Sequence, residues 1–277
     1  MSKCKVFAAL AVCLTMLSGC TEALPSSSSK PEAIDADGGI DVTEPAADTN
    51  AEPIETTAAP IETTAAATTV TTKTPLVTIA ELPDSYQLPV EPVMQEPELP
   101  TGCEITSLTC LLNYLGFTAD KVVMADTYLD YILENGTNYT FFEKYIGNPH
   151  ADGYGCYSPV IVKAAEKYLA DQNSNLEAVN LSGSSKEELF KVIASGHPIV
   201  IWNTVWAQYH DSYLAWTTPD GEEVYWNTYE HCMLLTGYNY YDSTVTVCDP
   251  LRGEVQYGME QFFNVYDDLY QQAMTIY

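Results

Sequence analysis

The sequence predicts an α+β domain in which helices come first and an antiparallel sheet follows. Apolar residues at Ile105, Leu108, Leu111, Leu112 and Leu115 recur with a helical period. From Pro198 onward the period shortens, and Ile199–Trp202, His231–Tyr238 and Thr244–Cys248 are runs of β-branched or apolar residues. The 188 residues Val90–Tyr277 hold most of the aromatic side chains and are enough for one well-filled core.

The elements follow in order. The first helix starts at Cys103, behind a Pro/Gly-rich turn, and Gly116 can end it. A weaker helix is expected over about Ala119–Leu133. Asn135–Tyr157, with four glycines and two aromatic clusters, reads as a long excursion, either a packed surface loop or one wall of a cleft. Pro159 opens a helix that runs to about Leu169. Ser185-Lys186-Glu187-Glu188 is a capping box ahead of Leu189, Val192 and Ile193, and Gly196 closes that helix. Glu254–Tyr257 is a shorter strand, and a final helix is expected from Met259 to about Gln271.

Two segments of different character precede this domain. Lys3 and Lys5 lead into an apolar run, Val6–Leu17, and Leu17-Ser18-Gly19-Cys20 closes it with small residues. The run is too short to span a bilayer, so 1–20 is expected to be an export signal. The tetrapeptide resembles a bacterial lipobox, which implies lipidation of Cys20 and anchoring on the outer face of the cytoplasmic membrane, at the cell surface. From Thr21 there is no aromatic residue until Tyr86, and Glu-Thr-Thr-Ala repeats are loose. Residues 21–89 are therefore expected to be a disordered tether. About 70 such residues reach roughly 45 Å on average. With 38 acidic against 11 basic residues, the formal charge of -27 argues against a nucleic-acid partner. It also argues against direct binding to anionic lipid headgroups, leaving the lipid on Cys20 as the membrane contact.

The chemistry centres on Cys103. A thiol at a helix N-terminus has its anion favoured by free backbone N–H groups and the helix dipole, which makes Cys103 the candidate nucleophile. Four histidines could act as base: His150, His197, His210 and His231. His231 opens the most regular apolar segment. A hairpin turning at Asn239–Tyr241, with Tyr238 opposite Asp242, would set His231 opposite Asp249 on one face. Asp249 could then orient the imidazole while the other ring nitrogen takes the thiol proton. The same register pairs Cys232 with Cys248, as core residues or as a cross-strand disulfide. Cys110 reads as a buried residue, and no Cys/His spacing makes a zinc site. Gln95, eight residues before Cys103, could offer its amide to a developing oxyanion.

Val93-Met94-Gln95-Glu96-Pro97-Glu98-Leu99-Pro100-Thr101-Gly102-Cys103-Glu104 is very similar to the signature of the C39-like peptidases, as are His231 in its strand and Cys248-Asp249-Pro250-Leu251. The resemblance covers about Leu88–Tyr270 and implies a papain-like fold. It implies Cys103 as nucleophile, His231 as base and acid, Asp249 as orienting residue and Gln95 as oxyanion donor, with no metal or organic cofactor. Family members that process bacteriocin leaders are joined to transporters, and this chain has no transport domain or nucleotide-binding motif. The expected function is a tethered cysteine peptidase acting on a peptide or protein, including cell-wall peptides. The alternatives are a stem-peptide amidase, a transpeptidase or a non-catalytic binding module. Trp202, Trp206, Trp216 and Trp226, with Tyr209, Tyr213, Tyr225 and Tyr229, could be core or could wall a peptide groove.

Overall fold

The computed structural model describes residues 81–133 and 135–277. The expected signal segment, Cys20 and most of the expected tether lie outside the described residues. Among the described residues, no helix is long and apolar enough to cross a membrane.

The folded chain begins before position 90. Strand β1 (Ser85–Gln87) pairs with the sheet, and Leu88 and Val90 are buried in the core. Helix α1 (Cys103–Tyr114) follows, with Gly116 at φ +92° just beyond it. The apolar period suggested a helix with one wet face, but every residue from Cys103 to Leu112 is buried. Two of its polar side chains are satisfied by backbone carbonyls: Thr109 Oγ1 donates to Ile105 O at 2.7 Å within the helix, and Ser107 Oγ donates to Cys232 O at 3.2 Å. Burying each leucine of such a helix contributes about 1.5–3 kcal/mol.

The expected second helix is a short turn, α2 (Lys121–Val123), capped by Asp120 and running into a π-helix, Met124–Tyr128. The chain then leaves the helix, so Tyr131–Ile132 is a strand, β2. The long excursion is structured: β3 (Tyr145–Gly147) and β4 (Gly153–Gly155) join β2 in a three-stranded sheet. Helix α3 (Ser158–Asp171), strand β5 (Ala178–Asn180) and helix α4 (Lys186–Ala194) complete the first half. The capping box forms, with Ser185 and Glu188 exchanging bonds.

The second half is mostly sheet. Strand β6 (Ile199–Thr204) is wholly buried. An outlying hairpin, β7 (Tyr213–Thr217) and β8 (Glu223–Trp226), carries four of the aromatic residues in question, Tyr213, Trp216, Tyr225 and Trp226. Then come β9 (Glu230–Asn239), β10 (Thr244–Asp249), β11 (Gly253–Gly258), helix α5 (Met259–Asp268) and β12 (Ala273–Ile276). The main sheet runs β11-β10-β9-β6-β12-β5, and β1 also pairs with β9. Helices on an antiparallel sheet are the α+β class expected from the sequence. Strand β9 is its spine, with β10 along one edge and β6 then β1 along the other.

The β9–β10 register differs from the expectation and still brings His231 to Asp249. Tyr238 faces Val245 rather than Asp242, because Asn239 builds a longer turn by accepting from Tyr241 N and Asp242 N. A slip of three positions would put His231 and Asp249 on opposite faces. Thr236 removes the problem: it is an extra residue between the pairs Gly237–Thr246 and Leu235–Val247, a β-bulge. Past it, Leu234 faces Cys248, a net slip of two, which preserves the face. His231 and Asp249 become diagonal neighbours on that face, bonded at 2.8 Å. The slip separates the other expected pair, since Cys248 lies opposite Leu234 rather than Cys232. Cys232 and Cys248 are both free thiols.

Deleting Thr236 should abolish the cooperative urea transition or lower its midpoint severely. Thr236→Val keeps the residue count, loses the hydroxyl bond to Thr246 O and should cost only about 1 kcal/mol.

Candidate active site

Cys103 is placed by the turn before it. Gln95 N donates to Pro250 O at 2.9 Å, which joins this turn to the end of β10. Thr101 Oγ1 donates to Ala151 O at 2.9 Å, and Tyr145 OH donates to Thr101 O at 2.6 Å, fastening the turn to the small sheet. A Cβ at Gly102 would lie 2.8 Å from Leu99 Cβ, so only glycine fits immediately before the cysteine. The Gln95 side chain is buried, with Nε2 donating to Pro100 O at 2.8 Å and Oε1 without a hydrogen-bond partner.

Asp249 is fully buried and its bonds converge from several directions. Oδ1 meets His231 Nε2 at 2.8 Å and accepts from Leu251 N at 2.8 Å. Oδ2 accepts from Arg252 Nε at 2.8 Å. Burial alone would raise this carboxyl, but the bond and charge of His231, the Leu251 N–H and Arg252 outweigh it and hold its pKa below the usual value. Arg252 also bonds Tyr257 OH and stacks its guanidinium 3.7 Å from the ring centre of Trp206. Trp206 is more than half exposed and lies in the left-handed region at φ +67°. Among the described residues, His231 Nδ1 has no hydrogen-bond partner.

The thiol does not sit as the helix N-terminus alone would have it. Cys103 Sγ donates to Glu104 Oε2 at 3.3 Å and accepts from Cys232 N at 3.4 Å, and neither bond reaches the imidazole. Glu104 Oε1 accepts from Cys156 N at 2.8 Å. Glu230 completes a buried group in which one ligand atom of each of Cys103, Glu104 and Glu230 lies within 4.8 Å of the others. That is also the grouping among the described residues that could hold a metal ion. Burial, then Glu104, then Glu230 raise the Cys103 pKa well above the ordinary thiol value. The expectation of a favoured thiolate is thus overturned. A helix terminus contributes about 0.3–1 kcal/mol, under one pKa unit, whereas burial shifts a group by up to about 3–5 units. Burial pushes the Glu104 carboxyl up to about 7, and burial with Glu104 pushes Glu230 up as well. Gly155, at φ +151°, lies directly over the pair: a Cβ there would come within 2.5 Å of Glu104 Oε1 and 2.9 Å of Trp226.

The structure therefore gathers Cys103, His231, Asp249 and Gln95 around the start of α1 and the facing ends of β9 and β10. The other histidines have separate partners. His150 pairs with Asp126, His197 bonds Ile276 O, and His210 stacks on Tyr229. The aromatic group divides. Trp202 is core, bonded to Cys156 O, while Trp216 and Trp226 pack on Phe141 and Tyr154. Glu104, Glu230 and Arg252 were not singled out from the sequence. Glu104 had a signal: it precedes Leu108 and Leu111 by four and seven positions, on the apolar face. Arg252, three residues after Asp249 across Pro250, had a weaker one.

The model of the Peptidase_C39 like family matches residues 87–274. The chain is 29% identical over 161 residues to the uncharacterized protein YvpB of Bacillus subtilis (strain 168), covering 57% of this chain and 61% of that relative's length. Among solved structures, a Bacillus anthracis protein described as a C39-like peptidase superposes with a TM-score of 0.62 at 32% identity, covering 70% of this chain and 97% of that one.

The acid pair has two measurable consequences. A carboxyl near 4.3 when unfolded and near 7 when folded holds its proton in the fold, so stability falls as pH rises from about 4.5 to about 7 and then levels. Glu104→Gln should flatten that fall in urea titrations, gaining on the order of 2 kcal/mol over the native chain at pH 8. It should also speed alkylation of Cys103 by iodoacetamide at pH 7 about tenfold. An unchanged pH slope and an unchanged rate would refute the electrostatic account.

Proposed function

The chain belongs to the Peptidase_C39 like family, and on that premise we propose that it is a cysteine peptidase with Cys103 as nucleophile, His231 as base and acid, Asp249 as orienting residue and Gln95 as oxyanion donor. The observation that carries this reading is the contact of Cys103 Sγ with Cys232 N, the residue next to His231, while His231 itself bonds Asp249. The start of the helix that carries the nucleophile thus meets the backbone of the strand that carries the base.

The reaction starts when Cys103 Sγ turns from Glu104 to the open ring nitrogen of His231, which takes its proton. Asp249, ionised through its bonds to Leu251 and Arg252, stabilises the imidazolium and fixes Nε2 towards itself. The thiolate attacks the peptide carbonyl. The oxyanion is held by the Cys103 N–H and by the second amide hydrogen of Gln95, whose first is spent on Pro100 O. His231 then protonates the leaving amine, and water, activated by the same ring, hydrolyses the thioester to the acid product. In the resting state the acid pair keeps Cys103 a neutral thiol, so the thiolate forms only on transfer to His231.

Lys3, Lys5 and the Leu17–Cys20 tetrapeptide support export, removal of 1–20 and anchoring through a lipid on Cys20, with the chain between Cys20 and β1 as spacer. The substrate is then a peptide or protein outside the membrane, including cell-wall peptides.

A thiol-directed peptide-like probe should label Cys103 in the purified protein. Cys103→Ala should abolish the labelling, and His231→Ala should slow it about 10²–10⁴-fold; persistent site-specific labelling of Cys103→Ala would sink the assignment. Comparing envelope peptides and muropeptides from cells with the native chain or Cys103→Ala by mass spectrometry should reveal new peptide termini. Altered stem peptides would move the substrate to the cell wall. Cys20→Ser should shift the protein from the membrane fraction to the soluble one, and equal membrane association would exclude the anchor.

A further inference from the structure

Cys110 and Cys248 take no part in the site and come from opposite ends of the domain. Cys110 lies in α1, seven residues after Cys103, and Cys248 is the residue of β10 before Asp249. Both are buried, at 1% and 3% exposure. Their thiols converge on two consecutive carbonyls, with Cys110 Sγ donating to Glu91 O at 3.2 Å and Cys248 Sγ to Val90 O at 3.7 Å. Each thiol is the first cause of the other's pKa shift, Cys110 being lowered and Cys248 raised. The remaining three described cysteines, Cys103, Cys156 and Cys232, all lie in the field of Glu104 and Glu230 instead.

We propose that Cys110 and Cys248 are a modification site, forming a disulfide that ties α1 to β10, with a small-molecule or protein disulfide as the oxidant. The thiolate of Cys110 attacks one sulfur of the oxidant, R–S–S–R, and one R–S⁻ leaves. The thiolate of Cys248 then attacks the Cys110 sulfur of the mixed disulfide, and the second R–S⁻ leaves. The two leaving groups take up the two thiol protons, and two electrons pass from the protein to the oxidant. Because both sulfurs are buried, exchange takes place as the chain folds, before α1 closes on the sheet. The bond closes the loop from Cys110 to Cys248 and restrains the unfolded chain. It also fixes the helix carrying Cys103 against the strand carrying Asp249. None of this depends on peptidase activity.

The test uses the full chain, native and Cys103→Ala, refolded with glutathione disulfide, acid-quenched, denatured and blocked with N-ethylmaleimide. Peptide mapping without reductant should find Cys110 linked to Cys248 in both proteins, and the link should vanish on reduction. Maleimide on both residues, or either one joined to another cysteine, would overturn the proposal. The oxidised native chain should melt several degrees above the reduced one, and Cys110→Ala should lose that difference. If Cys110→Ala fails to fold, the native peptide map decides alone. A link formed in Cys103→Ala leaves the peptidase reading to its own probe experiment.

Discussion

Enclosure of α1 against β9 governs the chemistry around Cys103. The helix is buried from its first residue, so its N-terminal thiol enters the interior and not a wet groove. Cys232 N meets the sulfur there, and Ser107 returns a bond to Cys232 O, so strand and helix are fastened on both sides of one residue. The next position on the helix, Glu104, is carried inward with it. A buried carboxyl needs a donor, and Cys156 N supplies one. Gly155 must be glycine for that peptide to come so close. From one packing constraint follow the raised pKa of the thiol, the acid pair and the shape of the chain above it.

Asp249 presents the opposite electrostatic solution to the same burial. It too is removed from water, yet His231, the Leu251 N–H and Arg252 hold it ionised. Among the described residues Glu104 and Glu230 have no cation beside them, and burial pushes both towards the neutral form. The site therefore sets an anion behind the imidazole and a proton-rich pair behind the thiol. That asymmetry separates the two charge states a thiol and an imidazole exchange during acyl transfer. In the proposed mechanism it keeps Cys103 a neutral thiol until its proton moves to His231.

Much of the scaffold was legible because its signals are local. The helix of Cys103, the Ser185 capping box and the strand of His231 each follow from periodicity or from side chain–backbone bonds within four residues. The second helix was read too long because Met124–Tyr128 winds into a π-helix before the chain turns out into β2. The hairpin β7–β8, and β1 within the supposed spacer, were missed because short strands are recognisable only beside their partners. The pairing of His231 with Asp249 was right for a register that was not: a longer turn and the Thr236 bulge made two departures that cancelled in parity.

By itself the sequence determined the class of fold, the segment that carries each proposed catalytic residue and the family to which the chain belongs, since these depend on residue type and spacing along the chain. Only the tertiary structure decided which way the Cys103 sulfur points, what Glu104 and Glu230 do to it, and that Cys248 faces Cys110 rather than Cys232. Burial and long-range proximity set those outcomes, and both arise from the closing of elements more than a hundred residues apart in the chain, as Cys103 and Cys232 are.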